Sequence, residues 1–300
     1  MTQRTVLLTG GSGHVARLLI PGLRAYSLRL VDLVKPGDVQ PGGSGGDGAV
    51  AMGGGVGSAA ADRDVGAATG DVSRGVGDGD VDGAEALPPE VRGGDLADRS
   101  FAAEVVEGVD TVLHLAANPH PNATWDSLRS PNVEALVSVL EAAQRADVRR
   151  VILASSVHAM GGYVQQERHP VKEEWPPWPC CAYGATKAFA EALGRACSYR
   201  TGLSVICLRF GGVQRRPGSV GAMAFWLGTP DLRQLVGRAI EADDIRFGVY
   251  HGVSANTRRE WDTSGAVADL GYAPTCDSEE FLGEIDPNPV RAFCSRSPQP

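Results

Sequence analysis

Apolar residues change their spacing repeatedly along this chain, and each change marks a predicted element. Residues 5–9, Thr-Val-Leu-Leu-Thr, make a short apolar run of the kind that forms a strand buried on both faces. After the glycines at 10, 11 and 13 the spacing becomes helical, with Val15, Leu18, Leu19 and Leu23 on one side. A second strand is expected over 27–33, a helical stretch through Phe101, Val105 and Val106, and a strand over 111–117. A long helix over 125–146 precedes a strand at 151–156, and a helix at 182–200 precedes a strand at 203–209. A Gly/Arg/Pro loop, a helix near 231–241 and a last strand near 247–250 complete the series. Alternating strands and helices predict an α/β fold with a doubly wound parallel sheet, whose ligand crevice lies at the carboxyl ends of the strands.

One region breaks the pattern. Residues 36–94 are dense in Gly, Ala, Asp and Val and almost devoid of large apolar side chains, so they are expected to be a flexible, disordered insertion. Ten acids and three arginines give that region a net charge of minus seven, against minus eight for the whole chain. The rest is nearly neutral, which gives no support to a nucleic-acid or anionic-membrane partner. Within the insertion, Asp78-Gly79-Asp80-Val81-Asp82-Gly83 imitates the start of a calcium-binding loop. Pro89 then stands where the bidentate glutamate belongs, and a low-complexity acidic spacer is the expectation.

The glycine turn carries the first candidate chemistry. Gly10 and Gly13 permit a sharp turn and a close approach to a pyrophosphate at a helix amino terminus, and Ala16 is small enough for helix to pack on strand. Asp32, about twenty residues on, can accept hydrogen bonds from a ribose diol and repel a 2′-phosphate, which points to NAD rather than NADP. Asp95 and Leu96 are expected at the adenine edge, and the small Ala116 and Ala117 let a cofactor pass. His114, inside an apolar strand, is expected to be structural.

The second candidate is Tyr183-Gly184-Ala185-Thr186-Lys187. On a helix this spacing puts Tyr183 and Lys187 a turn apart on one face. A phenol is a weak base at neutrality unless an ammonium favours its ionised form, and Lys187 can supply that charge. Ser156, at the end of the preceding strand, can hold a reacting hydroxyl against the phenolic oxygen.

The six cysteines, at 180, 181, 197, 207, 276 and 294, contain no C-x-x-C pair, so no metal or redox site is expected. Cys180 and Cys181 read as packing residues rather than nucleophiles, one of them alternatively as an exposed, modifiable thiol. The chain enters its first strand at once, which leads us to expect no signal peptide, no membrane span and a cytoplasmic location.

Together the glycine turn, Asp32, Asp95-Leu96, the His-Leu-Ala-Ala strand end, Asn132, Ser155-Ser156 and Tyr183-x-x-x-Lys187 resemble the extended short-chain dehydrogenase/reductase superfamily, also termed the NAD-dependent epimerase/dehydratase family. Within it the chain looks most like NAD-dependent uronate dehydrogenases, in the segments Ser155–Tyr163, Gly252–Asn256, Trp261-Asp262 and Leu270-Gly271-Tyr272. The resemblance implies a Rossmann fold with residues 1–210 as the NAD-binding domain and 211–300 as a small substrate-binding extension. It implies oxidation of a sugar at its anomeric carbon to a lactone. Tyr183 would be the base, Lys187 would bind the nicotinamide ribose, Ser156 would orient substrate, and Asn132 would organise the lysine and a water.

For the cofactor, the same resemblance implies contacts from Gly10, Gly13, His14, Val15, Asp32, Asp95, Leu96, Leu115, Ala116, Ala117, Tyr183, Lys187 and Phe210. For a sugar it implies Asn118, His120, Ser156, Val157, His158, Arg215 and Arg216, and for the assembly a homodimer. Two departures bear on the substrate. Val157 replaces an asparagine, and the carboxylate-binding arginine of those dehydrogenases aligns with Gly221. Arg215 and Arg216 either substitute for it or are ordinary loop residues. A nucleotide-sugar epimerase with tightly bound NAD and a non-catalytic NAD-binding regulator are the alternative readings.

Overall fold

The computed structural model describes residues 3–33, 88–285 and 294. The calcium-loop imitation and most of the acidic insertion lie outside them. The core is a seven-stranded parallel sheet built from β1 (Thr5–Thr9), β2 (Ser27–Asp32), β3 (Glu90–Gly93), β4 (Thr111–His114), β5 (Arg150–Ser156), β6 (Ser204–Phe210) and, numbered below, β9 (Phe247–Gly252). The order across the sheet is β3-β2-β1-β4-β5-β6-β9, so the direction of winding reverses between β1 and β4. In such a sheet the ligand crevice opens at that reversal.

Helices cover both faces, and the strands alternate between two cores. Leu8, Leu113, Ile152 and Ile206 pack beneath α1 (His14–Leu19) and α7 (Thr229–Glu241). Leu7, Val112, Val151 and Val205 pack beneath α2 (Arg99–Val106), α4 (Ala135–Arg145) and α6 (Ala182–Thr201). Burial of both side-chain sets is why these strands read as continuous apolar runs. A third cluster, including Val157, Met160, Tyr163, Phe225 and Trp261, sits over the strand ends. It joins the short α5 (Gly161–Gln165) to the 3-10 turn Val220–Phe225, which leads into β8 (Trp226–Leu227), the partner of β7 (Gly212–Val213). Helix α8 (Ser264–Leu270) follows β9, which therefore returns a strand from the expected substrate region to the main sheet.

Two expectations need correction. The predicted insertion reaches to residue 94, yet Glu90–Gly93 is the edge strand of the sheet, paired with β2 in the register Leu30↔Val91. An edge strand needs little apolar surface, and its backbone bonds with an Arg29–Glu90 ion pair at 2.6 Å hold it. The helix expected over 125–146 is interrupted. Short α3 (Trp125–Leu128) passes through a π-helical turn, Arg129–Glu134, into α4. Pro131 lies in that turn, where it removes one amide donor from the helical ladder.

Candidate active site

The carboxyl ends of β1, β4, β5 and β6 open into one cavity of about 1150 Å3. That exceeds the ~300–1,000 Å3 usual for one small ligand. At one end Gly10 adopts φ +69°, and a Cβ there would stand 3.0 Å from the backbone nitrogen of Ala116. Both the turn and the close approach therefore require glycine. Gly13 N donates to Gly10 O at 2.9 Å, and no side chain caps the start of α1, whose residues His14 and Val15 line the cavity. Asp32 accepts from Ser12 N at 3.0 Å and from the Ser12 hydroxyl, which fixes its carboxylate at the rim. Asp95, Leu96, Leu115, Ala116 and Ala117 continue the wall. The turn, the uncapped helix start and the rim carboxylate fit a dinucleotide.

At the other end stand Ser156, Val157, His158, Tyr183, Lys187 and Phe210. Helix α6 starts at the N-cap Cys181, so Tyr183 lies in its first turn and Lys187 one turn later, both facing the sheet. Gly184 lets the helix meet the turn after β5, because a Cβ there would fall 2.3 Å from His158 O. Lys187 Nζ donates to Ala154 O at 2.8 Å and lies 5.6 Å from the Tyr183 ring centroid. Burial pushes the Tyr183 phenol up to about 12, against a hydrogen bond with Ser156 that lowers it. Burial also lowers the Lys187 ammonium to about 8. Desolvation thus sets the direction at both groups, and Ser156, not Lys187, is what lowers Tyr183 here.

Other expected residues lie off the wall. Asn132 is buried behind it, accepting from Asn118 N at 2.7 Å and donating to Thr186 Oγ1 at 3.1 Å. Thr186 in turn donates to Tyr183 O at 2.7 Å, so Asn132 braces the first turn of α6. His120 is exposed and does not line the cavity. Arg215 and Arg216 are exposed as well, and Arg216 pairs with Glu284 at 3.1 Å instead of facing the cavity. Their loop leaves the cavity at Gln214 and returns at Pro217.

Sequence reading missed Gln214, Ser219, Phe225 and Trp226, which line the same cavity as Ser156. The Gly-Val-Gln segment after β6 was the available signal. It also missed a buried polar group behind Ser155. Ser155 Oγ donates to Glu191 at 2.6 Å, and Arg209 grips both Glu191 oxygens at 2.8 Å. Arg209 also approaches His251 at 3.4 Å. Burial raises Glu173, which accepts from His251 N and Gly265 N, to about 7.

A family model, the NAD dependent epimerase/dehydratase family, matches residues 6–213. The chain belongs to that family. It is 34% identical over 203 residues to a uronate dehydrogenase of Pseudomonas syringae pv. tomato, covering 68% of this chain and 72% of the relative. It is 33% identical over 211 residues to an NAD-dependent glucose-6-phosphate dehydrogenase of Haloferax volcanii, covering 66% and 80%. A solved structure of a mutated uronate dehydrogenase superposes with a TM-score of 0.73 at 26% identity, covering 97% of this chain and 91% of that one. The chain is accordingly an NAD-dependent enzyme of the extended short-chain dehydrogenase/reductase type. Among the described residues no helix is long and apolar enough to cross a membrane.

Proposed function

We propose that this enzyme oxidises the anomeric carbon of a free, uncharged aldose to its lactone. In this reading residues 1–210 hold the dinucleotide and 211–300 supply the wall at the sugar end. Ser156 hydrogen-bonds the hydroxyl on C1, and the ionised oxygen of Tyr183 takes its proton as the C1–H bond breaks. NAD, held along the glycine turn and Asp32, would supply the acceptor for the hydride from C1. Lys187, when charged, favours the ionised phenol and holds the nicotinamide ribose. Asn132 keeps Tyr183 in place through Thr186.

The observation that carries the reading is the convergence of Ser156, Tyr183 and Lys187 on one end of a cavity whose other end is the Asp32 cradle. Support for an uncharged sugar comes from the wall. Asn118, Ser127, Ser130, Gln214 and Ser219 offer neutral amides and hydroxyls, no arginine lines it among the described residues, and Lys187 is its one lysine. A uronate or sugar phosphate would have to bury its anion without a guanidinium partner.

The test follows NADH absorbance on mixing protein and NAD with neutral aldoses, free uronates and nucleotide sugars. NADH formation with a neutral aldose, followed by acid release as the lactone hydrolyses, is the expected result. Turnover confined to uronates would overturn the substrate class. A flat trace with epimerised nucleotide sugar would overturn oxidation itself. We also propose a homodimer packed through the long helices, since α6 exposes Phe189 and Tyr199; a one-protomer mass in sedimentation removes it.

A further inference from the structure

The strongest unassigned feature is a cluster of one histidine and three cysteines, beside the reactive end of the cavity. His158 comes from the turn after β5, two residues beyond Ser156. Cys180 and Cys181 lead into α6, two residues before Tyr183. Cys294 arrives from the carboxyl-terminal tail, where its carbonyl accepts from Gln165 Nε2 at 2.9 Å. Among the described residues this is the one group of three or more histidines, cysteines or acids whose ligand atoms converge, all within 4.8 Å of one another.

The distances have the form of a coordination tetrahedron. His158 Nδ1 lies 3.3 Å from Cys180 Sγ, 3.7 Å from Cys181 Sγ and 3.5 Å from Cys294 Sγ. Cys180 Sγ lies 3.6 Å from Cys294 Sγ and 4.0 Å from Cys181 Sγ. A tetrahedral zinc ion with bonds of about 2.3 Å to sulfur and about 2.0 Å to nitrogen separates its sulfurs by roughly 3.8 Å and sulfur from nitrogen by roughly 3.5 Å. Four such ligands close the coordination shell, as structural sites do, and leave no position for substrate.

We propose that His158, Cys180, Cys181 and Cys294 bind one zinc-like divalent ion that clamps the carboxyl-terminal tail to the reactive end of the cavity. Thiolate ligands select a borderline-soft metal over calcium or magnesium. Cys181 caps the amino terminus of α6, where Gly184 N donates to its sulfur at 3.4 Å, which holds the sulfur toward the cluster. The ion would couple the turn bearing Ser156 to the first turn bearing Tyr183. The His158 ring already meets the Tyr183 ring edge-on at 5.7 Å between centroids. The expectation of no metal site came from the absence of paired cysteine spacing. Here the fold joins ligands more than a hundred residues apart.

The proposal is independent of which sugar is oxidised, and its first test does not involve turnover. Full-length protein purified under reducing conditions, stripped with a chelator and titrated with zinc is expected to take up one equivalent. Cobalt in the same site is expected to show thiolate-to-metal charge transfer and the strong visible bands of tetrahedral coordination. Cys294→Ser, in the tail and outside the three apolar cores, is expected to fold and to weaken zinc binding at least tenfold. Cys180→Ser is expected to do the same. Absence of zinc uptake by the reduced protein would overturn the proposal, as would a cobalt spectrum without thiolate bands or full affinity in both variants. A disulfide between Cys180 and Cys294 as the protein's stable form under reducing conditions would also overturn it.

Discussion

The Thr9 hydroxyl stands 2.9 Å from Nδ1 of His114, at paired positions on the central strands β1 and β4. Thr9 Oγ1 also accepts from Leu115 N and Ala116 N, each at 3.1 Å. Since that oxygen receives two N–H groups, its own proton goes to Nδ1, and the neutral imidazole carries its hydrogen on Nε2. The pair fixes the backbone that forms the cavity wall opposite Gly10. Thr9→Val keeps the shape and leaves two N–H groups without their acceptor, at a cost of ~1–3 kcal/mol each. We expect lower stability in denaturant and about tenfold weaker NAD binding by calorimetry. Unchanged NAD affinity would show that the pair supports the sheet alone.

The same histidine sets a pH dependence. Burial lowers His114 and His251 from the ordinary 6.5 to about 3, so both remain neutral in the folded protein. Below pH 6.5 the unfolded chain takes up protons that the folded chain refuses. Their contribution to stability is therefore complete above 6.5 and is lost as pH falls toward 3. His114→Asn, which can still accept from Thr9, is expected to destabilise at pH 7. Its melting temperature should then approach that of the wild type as the pH falls to 5. A constant gap between the two melting curves would contradict a neutral His114.

Tyr183→Phe tests the proposed chemistry. Removing the phenolic oxygen is expected to lower kcat by about 100- to 10,000-fold, the usual range for an acid–base group. Tyr183 holds its position through backbone and packing contacts that phenylalanine preserves, so NAD affinity should stay within a few-fold. Retained turnover in the variant would assign the proton to another group.

Arg209 and Glu191 form a buried bidentate pair, with side chains only 2% and 5% exposed. Breaking such a pair from one side strands the other charge and costs ~3–5 kcal/mol. We expect Arg209→Met to lose stability on that scale in chemical denaturation. The double variant Arg209→Met/Glu191→Leu should recover part of it, apart from the bond lost by Ser155. Equal losses in the single and double variants would mean that packing, rather than the stranded charge, sets the cost.

Local chemistry made much of this protein legible in its sequence. Strand runs such as Val6-Leu7-Leu8 are apolar on both faces because helices cover both sides of the sheet, and Tyr183 and Lys187 align because four residues span about one helical turn. The glycine turn, Asp32 and Ser156 declare themselves because strand ends in a parallel sheet converge on one crevice. Strand β3 escaped because an edge strand at the end of a glycine-rich stretch needs backbone partners more than apolar side chains. The π-helical turn escaped because Pro131 redirects bonds that periodicity does not record. Only tertiary structure turned Arg216 outward to Glu284, placed Gln214 and Trp226 on the same cavity as Ser156, and closed Glu191 on Arg209. It also drew His158, Cys180, Cys181 and Cys294 to one point. Such groupings depend on where distant segments meet across the sheet, and residue spacing along the chain carries no trace of that distance.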